Sequence, residues 1–291
     1  MKPARFTYRR MDDLVQLTAA LAELGGDGQI IAGGQSLMPM LNMRLAQPAV
    51  LLDINRIEQL SGWRSTAEYI ELGALVRHRT YEDDADLRRH LPLLAHAVSN
   101  IAHPAVRNRG TIGGSLALAD PAAELPALCV CLGARIGLMS VRGERWCEAD
   151  DFFIGPLETA TQLDEAIFAV RFPHHAPDER FSFHEIARRH GDYAAAGVAA
   201  RGRLENGRLT QLSLSLFGIS DRPERAIATA AAIVEGWPEI AVDDIAALVA
   251  GECDIRGSVT EPAHYKRRVV AVLLRRAISD LVNAGGHERV G

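Results

Sequence analysis

Two short glycine-rich segments are the part of this 291-residue chain whose residue types invite chemistry. The first, Ala32-Gly33-Gly34-Gln35-Ser36-Leu37, follows the apolar run Gln29-Ile30-Ile31. The second reads Gly110-Thr111-Ile112-Gly113-Gly114-Ser115, with hydroxyls beside its glycines. Glycine lets backbone N–H groups come close to a phosphate, and a helix N-terminus adds partial positive charge. That combination holds a pyrophosphate without a metal. The dinucleotide fingerprint G-x-G-x-x-G is absent, because Gly33-Gly34 is followed by Gln35-Ser36-Leu37-Met38, and no G-x-x-x-x-G-K-[ST] occurs. Alone, the first segment also reads as a tight turn before a helix. Together, the two can clamp one extended dinucleotide from two sides. Glu124 can accept from a ribose hydroxyl; the same position equally suits a solvated charge favoured by a helix dipole.

The elements that position these segments follow from periodicity. An amphipathic helix is expected from about Asp12 to Leu24, capped by Asp12 or Asp13, with Leu14, Leu17, Leu21 and Leu24 on one face and Gly25-Gly26 as its stop. Gln29–Ile31 reads as a short buried strand, and Ser36 as the N-cap of a short helix reaching Arg44. Val50–Ile54 and Tyr69–Gly73 read as strands, and Thr80 opens a helical region broken at Pro92. Residues 102–126 are dense in Gly, Pro and small side chains, but enough of them are apolar for the backbone to pack. A helix follows at about Glu124 to Leu132, then strands near 134–138, 144–148 and 165–172. The best boundary lies at Pro173–Asp178. Beyond it, alternation at Phe181, Phe183, Glu185 and Ala187, and at Leu212, Leu214 and Leu216, marks antiparallel strands. Three helices close the chain, the last at about 262–283 with Tyr265, Val269, Val272, Leu273 and Arg276 at helical spacing. Arg267-Arg268 and Arg275-Arg276 read as its polar face or a subunit contact. Strands then helices after a βαβ-like segment indicate two domains with separate cores.

Composition narrows the function classes. Lys+Arg 32 against Asp+Glu 37 gives a formal charge of −5, which leaves no electrostatic footprint for nucleic acid. The charge-free run from Gly28 to Met43 is broken by Gly, Gln, Ser, Pro and Asn, so no membrane span is expected. The start, Met-Lys-Pro-Ala-Arg-Phe, lacks an apolar h-region, and the expectation is a cytoplasmic protein. Cys129, Cys131, Cys147 and Cys253 fit neither a disulfide framework nor a zinc or iron–sulfur spacing. Cys129 and Cys131 read as small hydrophobes, and His174-His175 as an exposed linker pair. No metal ligand is assigned.

Ala32–Leu37, the stretch Arg107-Asn108-Arg109-Gly110-Thr111-Ile112-Gly113-Gly114-Ser115 with Asp120-Pro121, and Arg188-Arg189-His190-Gly191-Asp192-Tyr193-Ala194 together resemble the FAD-binding medium subunits of the molybdenum hydroxylases, the xanthine dehydrogenase and carbon monoxide dehydrogenase group. The resemblance covers essentially the whole chain. It implies an α+β fold: a PCMH-type FAD-binding domain of two α/β lobes at 1–176, then a smaller domain of antiparallel strands and helices at 177–288. It implies non-covalent FAD, with Ala32, Gly33, Gly34, Gln35, Ser36 and Leu37 around the pyrophosphate. Thr111, Ile112, Gly113, Gly114 and Ser115 would form the second phosphate loop. Glu124 would lie near the ribose, Phe168 against the adenine, and Asp192 and Tyr193 near the isoalloxazine ring from the C-terminal domain. Many relatives carry His where this chain has Gln35, and the stretch before Asp120-Pro121 is closer to the N-heterocycle hydroxylases.

The function this implies is electron relay, with no acid–base catalytic residue on this chain. Molybdopterin would reside on a large partner subunit and 2Fe–2S clusters on a small one, in a dimer of heterotrimers, with FAD here passing electrons to the final acceptor. Two alternatives stand beside it: a stand-alone FAD-dependent oxidoreductase, for which little chain is left to form a substrate domain, and a scaffold with a lapsed flavin site, against which the intact glycine segments argue.

Overall fold

A computed structural model describes residues 2–206 and 208–283. Positions 284–288 of the expected C-terminal domain lie outside the described residues. The chain forms two compact units. The first takes residues up to Asp84, His103–Ala119 and Ala134–Pro173; the second takes Ala85–Ala102, Asp120–Gly133 and the chain from His174. The chain leaves and re-enters each unit, so the second packing unit takes two stretches from before the Pro173–Asp178 segment as well as the chain from His174.

In the first unit, strands Thr7–Arg10, Val50–Asp53 and Gly28–Ile31 form a parallel sheet with Val50–Asp53 in the middle. Val50, Leu51 and Leu52 are buried, the continuous apolar run expected of a central parallel strand. Gly28–Ile31 is an edge strand and only half-buried, not the buried strand expected. Helix Leu14–Leu24 is capped by Asp13, whose carboxylate accepts the Gln16 N–H at 2.7 Å. Its buried face is Leu17, Thr18, Ala20 and Leu21, while Leu14 and Leu24 lie at its margin.

A second sheet in this unit is antiparallel, in the order Trp63–Ser65, Tyr69–Gly73, Ala166–Pro173, Arg135–Ser140, Gly143–Glu148. Its register aligns Arg64, Glu71, Arg171, Arg135 and Glu148 in one row. Ion pairs run along the row: Arg64–Glu71 at 2.5 Å, Arg171–Glu71 at 2.7 Å and Arg135–Glu148 at 2.9 Å. The Arg171 guanidinium also lies over the rings of Tyr69 and Trp146, at 4.1 and 3.7 Å. Ile70, Leu72, Val170, Phe172, Ile136 and Leu138 are buried.

The second unit is built on a four-stranded antiparallel meander, Glu179–Ala187, Ala194–Glu205, Arg208–Phe217 and Glu224–Arg225. Helices Ile227–Gly236, Val242–Glu252 and Ala263–Asn283 share its core, which includes Val198, Leu214, Leu216, Ile233, Val249, Leu274 and Ile278. Val270, Leu273, Leu274, Ala277, Ile278 and Leu281 make the buried face of the last helix, whereas Tyr265, Val272 and Arg276 are exposed. Arg275 departs from the polar face expected of it. It donates to the Ile240 carbonyl at 2.7 Å and lies 5.3 Å from the Trp237 ring centre.

Candidate functional site

Strand Gly28–Ile31 delivers the chain into Ala32, and the glycine segment turns there for two different reasons. Gly34 has φ +73°, which a side chain disfavours. Gly33 is a close approach: an added Cβ would stand 2.3 Å from the Arg109 carbonyl oxygen and 3.1 Å from the Gly110 Cα. The two glycine segments therefore meet backbone to backbone.

From Gly33 to Leu37, no backbone N–H finds an acceptor among the described residues. The carbonyls of Gly33, Gly34 and Ser36 in the same stretch are engaged. Gly33 O accepts from the Gln35 side chain at 3.1 Å and from Arg109 Nε at 3.4 Å, and Gly34 O accepts the Met38 N–H at 3.1 Å. Ser36 precedes helix Leu37–Asn42 but makes no side-chain cap, contrary to expectation, so the first-turn donors stay free. Successive free N–H groups opening a helix form a concave donor surface for an anion.

The second segment is built differently from expectation. It is the first turn of helix Ile112–Leu118, capped by Thr111, whose Oγ1 accepts the Gly114 N–H at 3.1 Å. The Ile112, Gly113 and Ser115 N–H groups donate to Val76, Ala74 and Thr111 carbonyls at 3.0, 2.9 and 3.0 Å. The backbone donors from Ile112 to Ser115 are spent inside the protein, while the Thr111 N–H finds no acceptor among the described residues. Gly113 and Gly110 serve packing, since a Cβ would lie 2.7 Å from the Ala74 Cβ at the first and 2.9 Å from the His78 ring at the second. What remains for a ligand is the half-buried Ser115 side chain and the exposed surface at Gly114. His78 is buried, and burial lowers its pKa to about 4, with the Thr111 backbone opposing the shift and Arg107 and Arg77 adding to it.

Sequence reasoning missed a polar relay behind the first segment. Asn55 Nδ2 donates to the Ala32 carbonyl at 2.8 Å and to Asp53 Oδ1 at 2.7 Å. Its Oδ1 accepts from Arg77 Nη2 at 2.7 Å, and Arg77 Nη1 donates to the Arg109 carbonyl. Burial works against the Asp53 carboxylate, but hydrogen bonds from Tyr8 and Asn55 hold its pKa below the ordinary value. One signal was available: Asp53-Ile54-Asn55 leaves the carboxyl end of the central parallel strand, where ligands of open α/β sheets bind.

Phe168 sits half-buried at a bulge between Ile167 and Ala169, edge-on to Trp146 at 5.1 Å. Its carbonyl accepts the Ala74 N–H at 3.0 Å, and the Ala74 carbonyl in turn accepts from Gly113, so Phe168 joins the second segment through one residue. Glu124, Asp192 and Tyr193 belong to the second unit. Glu124 opens helix Glu124–Leu132 and is only 6% exposed, so it is not a solvated helix-start charge. Burial, with Glu185 and Asp120 adding repulsion, raises its pKa to about 8. Gly191, at φ +85°, packs on the Ala102 backbone, and the following Asp192 and Tyr193 are exposed, Tyr193 by 60%. His175 donates to the Arg89 carbonyl at 3.0 Å. Among the described residues no group of three or more His, Cys, Asp or Glu is placed to hold a metal.

Comparison with known proteins places the chain in a family. Residues 4–175 match the FAD binding domain in molybdopterin dehydrogenase, and residues 181–281 match the CO dehydrogenase flavoprotein C-terminal domain. The chain belongs to the FAD-binding family of the molybdopterin dehydrogenases, as a medium subunit. It is 36% identical over 284 residues to the caffeine dehydrogenase subunit beta of Pseudomonas sp. (strain CBB1), covering 96% of this chain and 95% of that one. Its fold is similar to a chain of carbon monoxide dehydrogenase from Hydrogenophaga pseudoflava, with TM-score 0.93, 33% identity and coverage of 98% and 99%. A chain of quinoline 2-oxidoreductase from Pseudomonas putida 86 gives TM-score 0.91, 32% identity and coverage of 99% and 100%. The medium subunit is thus an oxidoreductase flavoprotein of two-domain PCMH type. The residues present suit a diphosphate such as that of FAD: the N–H groups of Gly33–Leu37 are free to donate, and at Gly33 a side chain would displace the wall behind them.

Proposed function

We propose that this medium subunit holds FAD non-covalently and relays electrons through it, inside an assembly whose large subunit carries molybdopterin and whose small subunit carries 2Fe–2S clusters. The observation that carries this reading is the run of free N–H groups from Gly33 to Leu37. Those donors bind the diphosphate, with Ser115 adding a hydroxyl from the second segment. Glu124 holds its proton at pH 7, so its carboxyl can donate to a ribose oxygen as well as accept from a hydroxyl. Phe168 covers the adenine, and Asp192 and Tyr193 serve the isoalloxazine ring. Bound FAD supplies the redox chemistry, and the chain's part is position and electrostatics. Family membership supports the multi-subunit arrangement, which we take to be a dimer of heterotrimers. The names caffeine dehydrogenase and quinoline 2-oxidoreductase support an aromatic N-heterocycle as the substrate class of the assembly.

Visible spectroscopy tests this directly. The purified chain should show flavin absorption near ~450 nm, and acid should release intact FAD into solution. No N-heterocycle should reduce that flavin until the molybdopterin and 2Fe–2S subunits are added. Reduction by substrate in the isolated chain would favour a self-sufficient enzyme.

A further inference from the structure

The peptide before Gly33 is held from behind. Asn55 Nδ2 donates to the Ala32 carbonyl at 2.8 Å, and a trans peptide is planar, so the Gly33 N–H points away from Asn55. That N–H is the first of the free donors. The orientation of the Asn55 amide is fixed by its neighbours: its nitrogen faces two acceptors, Ala32 O and Asp53 Oδ1, and its oxygen faces Arg77 Nη2. Arg77 spends another guanidinium N–H on the Arg109 carbonyl, the atom against which Gly33 packs. One Asn–Arg pair thus holds the carbonyls of Ala32 and Arg109, the residues just before the first glycine of each segment.

We infer that Asn55, locked by Arg77 and Asp53, is a positioning residue that aims the N–H groups beginning at Gly33 toward the diphosphate. The inference rests on the FAD reading of this site. A side chain is needed here that donates on one edge and accepts on the other. Asparagine does both. Aspartate has the same shape but would set a carboxylate against the Ala32 carbonyl and Asp53.

The test uses the full-length apo chain, titrated with FAD and separately with ADP, which carries a diphosphate but no flavin. Wild type, Asn55→Asp and Asn55→Ala are compared, and the melting temperature of each apo protein is measured alongside. The expected result is a Kd for FAD and for ADP raised about tenfold or more in both variants, the scale of one lost buried hydrogen bond plus a misaimed donor. Apo melting should fall by the few degrees that lost hydrogen bonds cost, so each Kd is read well below the melting temperature of its variant. Arg77→Lys keeps the charge but loses the planar fork, and it should weaken both ligands in the same direction. It carries the test if the Asn55 variants do not fold. FAD affinity within about twofold of wild type, whether or not melting falls, would overturn the inference. Wild-type protein that takes up no FAD would overturn the reading of the site, and this inference with it.

Discussion

At Gly33 there is no space for a methyl group, and at Gly114 there nearly is. A Cβ at Gly33 meets a backbone carbonyl oxygen at 2.3 Å, whereas at Gly114 it meets only the Thr111 hydroxyl, at 2.9 Å. Gly33→Ala is therefore expected to part the two glycine segments, cost about 1–3 kcal/mol of stability and abolish FAD binding. Gly114→Ala should keep most of its flavin. Flavin content per purified chain, with thermal melting, checks both. Glu124 makes a second residue-scale prediction. Its carboxyl titrates near 8 in the folded chain against 4.5 ordinarily, so between those values the folded state holds a proton that the unfolded chain has released. The stability this proton confers is complete below about pH 4.5, declines as pH rises, and is lost above about 8. Glu124→Gln should flatten that decline in apo-protein melting curves, leaving the slope due to Glu185, which burial pushes up to about 7. The glycines and Glu124 were legible in the sequence because residue type alone restricts what they do. Asn55 and Arg77 were not, because their contacts with each other, with Ala32 and with Arg109 span 22 to 32 residues and only the folded turn brings them together.

Elements were legible where periodicity and end signals agree. Asp13 and Gly25 bracket the first helix, Tyr69–Gly73 is a strand as its pattern indicates, and Glu124–Leu132 is a helix with the limits read from sequence. The twelve-residue strand Ala194–Glu205 was not read. Its Ala-Ala-Ala-Gly-Val-Ala-Ala run has one β-branched residue, Val198, and no aromatic one to mark a strand, and its small side chains serve packing between neighbouring strands and the helices laid across them. The last helix was found, but its face only in part: Leu273 is buried and Val269 packs on the core as expected, whereas Tyr265 and Val272 are exposed and Val270, Leu274, Ala277, Ile278 and Leu281 complete the inward stripe. The strand's packing gives an element-scale prediction. At Gly197 a Cβ would fall 2.1 Å from the Phe217 ring, which is buried and stacked on Phe183 at 5.7 Å. Gly197→Ala should cost about 1–3 kcal/mol and lower the melting temperature by several degrees. Melting unchanged from wild type would show that Phe217 has room to move.

For the whole molecule, the sequence motifs led to the family, and the family models cover residues 4–175 and 181–281. Interleaving of the packing units was beyond sequence reading, because segments 85–102 and 120–133 carry ordinary helix patterns that do not say which core they join. Among the described residues no helix is long and apolar enough to cross a membrane. On the proposed reading, the backbone N–H groups from Gly33 to Leu37 hold the diphosphate of FAD, while the second glycine segment supports them with the N–H groups of Ile112–Ser115 already spent. Amide hydrogen exchange with and without FAD tests this most directly, because an N–H with no acceptor exchanges fast and slows when it gains one. The prediction is rapid exchange over 33–37 in the apo chain, strong protection there when FAD binds, and little change at Ile112, Gly113 and Gly114. Protection at the second segment with none over 33–37, in protein that carries its full flavin, would contradict the account.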